Sequence, residues 1–204
     1  MTRITITSFL GALALATVAS AAPINFDFKD PKGVNNVVFK LDAPLESING
    51  TASGISGTVA FDPENPGATT GKIVVAANTM HVGNPTMKEH LHGDQWMNVA
   101  KFPEITFEVS SLKNVKTEAG VTTADASGKL TIKGVVKEIT APVKLTYLKD
   151  KLAQRLPGKQ GDLLVVRSTF TIKRGDFGIN AGKMEDKVAS TIELSLSVAG
   201  TAPR

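Results

Sequence analysis

The chain has no cysteine, one tryptophan and one tyrosine in 204 residues, and neither sign of charge prevails. Without cysteine there is no disulfide framework, no thiolate zinc centre and no cysteine nucleophile. Lys and Arg number 23 against 19 Asp and Glu. The basic residues are scattered rather than gathered in a block, so nothing points to nucleic acid. After residue 21 no apolar run approaches the ~20 residues of a spanning helix, so no stable membrane insertion is expected. What is abundant is Gly, Val, Ile and Thr, a composition that leans towards β-structure and excludes a coiled coil or a collagen-like chain.

Residues 1–21 read as a cleaved secretory signal. Arg3 supplies the positive start, Phe9 to Val18 the apolar run, and Ala19-Ser20-Ala21 the small-x-small cleavage site. The expected mature domain covers 22–204 and is periplasmic or secreted. With no disulfides, burial and hydrogen bonding must hold it together, which a chain of this length can supply.

Period-two alternation dominates that domain. Val37, Phe39 and Leu41 share one parity; Ile105, Phe107 and Val109 oppose Thr106 and Glu108; Ile192, Leu194, Leu196 and Val198 oppose Thr191, Glu193, Ser195 and Ser197. Such runs are antiparallel strands with one dry and one wet face. They fall near 35–41, 54–61, 71–79, 104–111, 121–133, 138–148, 162–174 and 187–198, with a short apolar start at Ile24, Phe26 and Phe28. Turn chemistry separates them, as in Asp62-Pro63-Glu64-Asn65-Pro66-Gly67 and Lys133-Gly134. The fold class is therefore all-β: an extended antiparallel barrel of eight strands, closed so that no edge is exposed, with a two-sheet sandwich as competitor. One segment breaks the pattern. Asn84 can cap a short helix between strands, with Pro85 at its first position, Met87, His90 and Leu91 on one face and Gly93 at its end. That helix is either a lid or a connection packed over the rim.

Catalytic signatures are missing. His81, His90 and His92 are the only histidines, and His90 and His92 point to different faces of a helix, so no metal site is expected. There is no Gly-x-Ser-x-Gly elbow, phosphate loop or dinucleotide fingerprint, and Glu104 and Glu108 lie on the outward parity. No catalytic residues and no cofactor are assigned. Arg174-Gly175-Asp176 spells an adhesion tripeptide but reads as a strand end, and Asn49-Gly50-Thr51 is either a glycosylation acceptor or a loop turn. A barrel of this size is filled by side chains or holds one small ligand. Its Phe-rich dry face suits a long hydrocarbon better than a polar metabolite.

Five stretches in order resemble the YceI-like family of exported lipid-binding proteins. They are Gly57-Thr58-Val59-Ala60-Phe61-Asp62-Pro63; His90-Leu91 with Trp96-Met97-Asn98-Val99; Phe102-Pro103-Glu104-Ile105-Thr106-Phe107; Gly128-Lys129-Leu130-Thr131-Ile132-Lys133-Gly134-Val135; and Arg174-Gly175-Asp176-Phe177-Gly178-Ile179. The resemblance runs from about Gly54 to Val198. It implies a lipocalin-like barrel that binds an isoprenoid lipid or quinone by its tail, with a homodimer left open. Parity then nominates Phe39, Phe61, Phe107, Leu130, Ile132, Phe170, Ile172, Leu194 and Leu196 as the apolar lining, with Trp96 and Phe102 at the rim. Arg174 and Asp176 are expected to brace the barrel end. The sequence departs from the family where a His-Ser pair is usual, at Asp30-Pro31-Lys32-Gly33-Val34-Asn35-Asn36, and in Lys88-Glu89 before His90. The polar stretch Asp42 to Gly54 reads as a long loop. These departures are expected to alter the mouth and the headgroup contacts. An interaction protein with a filled core, or an enzyme acting on a lipid or quinone, are the competing readings.

Overall fold

The computed structural model describes residues 22–204; the signal-like stretch, with its apolar run from Phe9 to Val18, lies outside the described residues. In chain order the elements are β1 (Ile24–Asp27), β2 (Asn36–Asp42), β3 (Ser47–Ala52), β4 (Ile55–Phe61), β5 (Thr70–Ala76), β6 (His81–Val82), α1 (Pro85–His92), β7 (Glu104–Glu118), β8 (Val121–Ile132), β9 (Val135–Leu148), α2 (Leu152–Arg155), β10 (Gly161–Lys173) and β11 (Thr191–Pro203). Hydrogen bonding runs β1-β4-β5-β7-β8-β9-β10-β11, and β11 returns to β1 where Asp27 faces Thr201. This is the closed eight-strand antiparallel barrel. The strand pairs β2/β11, β2/β3 and β3/β6 lengthen it at one end. Three of the eight staves are thus broken in two: β1 continues into β2, β4 is preceded by β3, and β5 continues into β6.

The stretch Asp42 to Gly54, expected as a loop, contains β3, so Asn49-Gly50-Thr51 is strand and not a turn. Alternation failed to reveal it because one of its inward positions is Gly50. A Cβ there would lie 2.1 Å from Phe39 Cζ, so the missing side chain is the seat of the Phe39 ring on the neighbouring strand. Gly50→Ala is expected to destabilise by about 1–3 kcal/mol, the usual cost of overpacking. Urea denaturation would measure it.

Two tight hairpins set the register of the long strands. Ala119-Gly120 and Lys133-Gly134 each have both residues at positive φ, 48° with 76° and 50° with 76°. That geometry matches the right-handed twist of the flanking strands. Register shifts between Val109 and Ser111 and between Lys113 and Lys116 break the β7 ladder. The first moves the inward parity from odd to even, so Leu112 continues the dry face begun by Ile105, Phe107 and Val109.

One end of the barrel is solid. Phe26, Phe28 and Phe61 are fully buried there, and the Tyr147 ring centroid lies 6.2 Å from those of Phe26 and of Phe61. Phe28 also covers Gly200, where any Cβ would strike its ring. Polar groups close this end. The Tyr147 hydroxyl donates to Asp162 Oδ2 at 2.9 Å, the Asp150 N–H to Oδ1 at 2.8 Å, and Arg204 pairs with Asp162 at 2.5 Å. Nearby, Asp30 accepts from the N–H groups of Lys32, Val34 and Asn35 and pairs with Arg155 at 3.1 Å.

Burial raises the pKa of both Asp162 and Asp30, but the hydrogen bonds and cations outweigh it and hold each carboxyl below its usual value. For Tyr147, burial and then the Asp162 hydrogen bond push the hydroxyl up to about 12. The signs differ. The carboxylates contribute stability above the ordinary Asp pKa of about 3.9, lost as pH falls from there through their depressed values. Tyr147 contributes stability below about 10, lost as pH rises from there. The urea midpoint should therefore be flat near neutrality and fall on both sides. Asp162→Asn should flatten the acid limb and Tyr147→Phe the alkaline one.

Candidate functional site

Small residues leave the rest of the barrel open. Ala126 on β8 faces Ala141 on β9 across the ladder, and both are buried with their methyl groups on the inner wall. With Ala52 on β3 they leave room that larger side chains would fill. The result is a cavity of about 860 Å³, within the 300–1,000 Å³ typical of small-ligand sites.

Eight of the nine nominated lining residues border this cavity: Phe39, Phe107, Leu130, Ile132, Phe170, Ile172, Leu194 and Leu196. Phe61 does not. It lies beyond the cavity floor, in the aromatic plug with Tyr147, because parity specifies a face of the strand and says nothing of depth along the barrel. Trp96 borders the cavity. Phe102 does not, because its ring lies against the β8–β9 turn, where a Cβ on Gly134 would come within 2.7 Å of it, with Lys101 Nζ 5.4 Å from its centroid. The alternation of β5 already held Ile73 and Val75, which also line the wall. So does Val188, on the even parity of the run expected near 187–198, although the strand itself begins only at Thr191. Ile179 lies in irregular chain and carried no periodic signal.

Two non-strand segments cover the open end. The first begins with α1, whose Asn84 side chain accepts from the Met87 N–H at 3.1 Å. Gly93 ends the helix by donating to the Glu89 and His90 carbonyls. Met87, Leu91, Trp96 and Met97 from this segment reach the cavity. His92 Nε2 fastens it by donating to the Met80 carbonyl at 2.8 Å. The second segment, 174–190, winds around Arg174. This arginine is 1% exposed, and among the described residues it has no carboxylate partner. Its guanidinium instead donates to the carbonyls of Ala189, Ile179, Asn180, Lys183 and Val188. Its Cζ stands 5.7 Å from the centre of the Trp96 ring, joining the two segments by a cation–π contact.

The depth of the cavity is almost wholly apolar, and its charged lining residues, Glu46, Glu89, Asp94, Arg174 and Lys187, all belong to the open end. Ser168 and Thr69 are the polar exceptions in the walls. Their hydroxyls are taken by the Pro142 and Pro66 carbonyls. Residues 30–36 are not at the mouth, as their departure from the family pattern led one to expect. Asn35 is buried where β1 gives way to β2, donating to the Phe28 and Ala199 carbonyls and accepting from the Ala199 N–H. Lys88 is also absent from the lining, while its neighbour Glu89 contributes to it.

The YceI-like domain model matches residues 22–199. The chain belongs to the YceI-like family. A UPF0312 protein of Pseudomonas paraeruginosa is 33% identical over 152 residues, covering 74% of this chain and 72% of the relative. Protein YceI of Salmonella arizonae is 34% identical over 96 residues, about half of each chain. Among solved structures, Burkholderia cenocepacia BcnA superposes with a TM-score of 0.65 at 20% identity, covering 81% of this chain and 95% of that one. A polyisoprenoid binding domain from Saccharophagus degradans, implicated in plant cell wall breakdown, gives 0.64 at 14% identity, covering 89% and 99%. At these identities the structural likeness establishes the fold, and the YceI-like barrel is the architecture described above.

Proposed function

We propose that this chain is an exported binding protein that holds an isoprenoid lipid or a quinone tail in its barrel, as a carrier or buffer. The observation that carries this reading is segregation: apolar walls through the depth of the cavity and charged groups only at its open end. An amphiphile entering tail first satisfies both. Each methylene removed from water contributes about 0.8 kcal/mol, so a prenyl tail supplies affinity without specific polar anchors. The Saccharophagus neighbour, a polyisoprenoid binding domain of the same fold, supports the ligand class. The leader-like residues 1–21 support export.

Binding rather than catalysis is favoured because the three histidines do not converge. His81 is exposed on β6, His90 is exposed on α1, and His92 is engaged with Met80. Among the described residues no group of three or more His, Asp or Glu side chains could hold a metal. An interaction protein with a filled core fits poorly with the cavity. Organic extraction of the purified protein followed by mass spectrometry tests the reading. A stoichiometric isoprenoid or quinone is expected. Recovery of none, even after incubation with such lipids, would return the assignment to an interaction protein.

A further inference from the structure

Two of the most exposed large apolar side chains lie at the cavity mouth. Leu45, in the β2–β3 turn, is 67% exposed, and Met184, in the 174–190 segment, is 52% exposed. Their loops are tied together, since the Leu45 N–H donates to the Asp186 carbonyl at 3.0 Å. Met184 holds a left-handed backbone at φ 55°, rarely adopted by a residue with a side chain. Its carbonyl fixes that turn by accepting from the N–H groups of Lys187 and Val188 at 3.1 and 2.7 Å. Met184 also borders the cavity, as does Glu46 beside Leu45. Apolar surface thus continues from the cavity wall through Met184 to the outside, and a backbone hydrogen bond sets Leu45 beside it.

We propose that this Leu45–Met184 rim is where the protein rests on a lipid bilayer while its ligand passes between membrane and cavity. The proposal builds on the lipid-binding reading: a prenyl tail crossing open water loses its burial carbon by carbon, whereas a mouth seated in the interface passes the tail from one apolar phase to another. A second copy of the chain is disfavoured, because two side chains fall far short of the ~800 Å² per partner of a stable interface. At the open end Lys183 and Lys187 stand against Glu46, Glu89, Asp94, Glu185 and Asp186, so there is no cationic excess to draw the rim to anionic lipid. The surface recognised is therefore the apolar edge of a neutral bilayer, and a small apolar area of this kind docks transiently without anchoring.

Leu45→Glu is the decisive variant, because Leu45 is exposed and does not border the cavity. Two uptake assays with geranylgeraniol as probe separate docking from binding. From phosphatidylcholine vesicles, uptake by the variant should slow by roughly tenfold, the effect of removing one leucine from the interface. From a cyclodextrin complex, its equilibrium affinity should equal that of the wild type. Equal uptake rates from vesicles would overturn the docking proposal and leave the cavity reading intact. Failure of both proteins to bind geranylgeraniol or a prenyl quinone from cyclodextrin would instead overturn the cavity reading. In that case, ligand-free protein floated with vesicles still decides docking: co-flotation lost in Leu45→Glu supports it, and equal behaviour of the two proteins defeats it. Binding that requires phosphatidylglycerol would assign the contact to the lysines. A wild-type dimer that Leu45→Glu dissociates would assign it to a second copy. Either result overturns the proposal.

Discussion

Leucine at both Ala126 and Ala141 is expected to abolish most ligand binding while leaving the barrel folded, at some loss of stability. The two alanines face each other across β8 and β9, with their methyl groups on the cavity wall. Both methyl groups are packed, 1% and 3% exposed. The substitutions therefore push neighbouring wall side chains into the cavity, at the usual overpacking cost of about 1–3 kcal/mol each. They occupy volume that a prenyl tail would need. Displacing about four methylenes at about 0.8 kcal/mol each weakens binding by roughly a hundredfold. Titration of a prenyl ligand by intrinsic Trp96 fluorescence, with a thermal melt as control, reads both effects. Unchanged affinity in a folded double variant would show that the ligand does not use this part of the cavity.

Arg174→Met is expected to have the largest effect on stability. The side chain is buried and serves five backbone carbonyls of one irregular segment. Methionine fills some of its volume but donates to none of them. Orphaned buried acceptors cost about 1–3 kcal/mol each, although several of these carbonyls can turn to water once the segment loosens. A net loss of about 4 kcal/mol corresponds to a melting temperature lower by roughly 10 °C in a domain of this size. Hydrogen exchange should rise first across 174–190, before the β-strands, because the donors hold that segment and not the barrel ladder. Arg174→Lys should recover little, since three donors on a single nitrogen cannot reach carbonyls arranged around a planar five-donor fork. A lysine variant as stable as the wild type would show that charge, not geometry, is what the segment needs.

Much of the architecture was legible in one dimension. Alternation along Val37-Phe39-Leu41, Ile105-Phe107-Val109 and Ile192-Leu194-Leu196 identified strands and their dry face, because a strand with one wet side must repeat every two residues. Asn84-Pro85 and Gly93 marked α1 through local capping chemistry, which needs no partner from elsewhere in the chain. The Lys133-Gly134 turn was visible for the same reason. β3 was hidden because its identity as a strand rests on the neighbouring Phe39, whose ring takes the place of the side chain Gly50 lacks.

The sequence by itself determined the class of fold, the inward parity of the strands and the presence of one short helix, all properties of local period and local turns. Tertiary structure decided what the interior is. Parity put Phe61 and Phe107 on the same kind of face; only depth along the barrel made one part of an aromatic plug and the other part of the cavity wall. Whether Ala126 and Ala141 leave a void depends on their facing each other across a ladder closed by distant strands. The role of Arg174 likewise rests on carbonyls that only the folded 174–190 segment brings together. Volume and hydrogen-bond satisfaction are sums over neighbours distant in sequence, and no periodicity along the chain contains them.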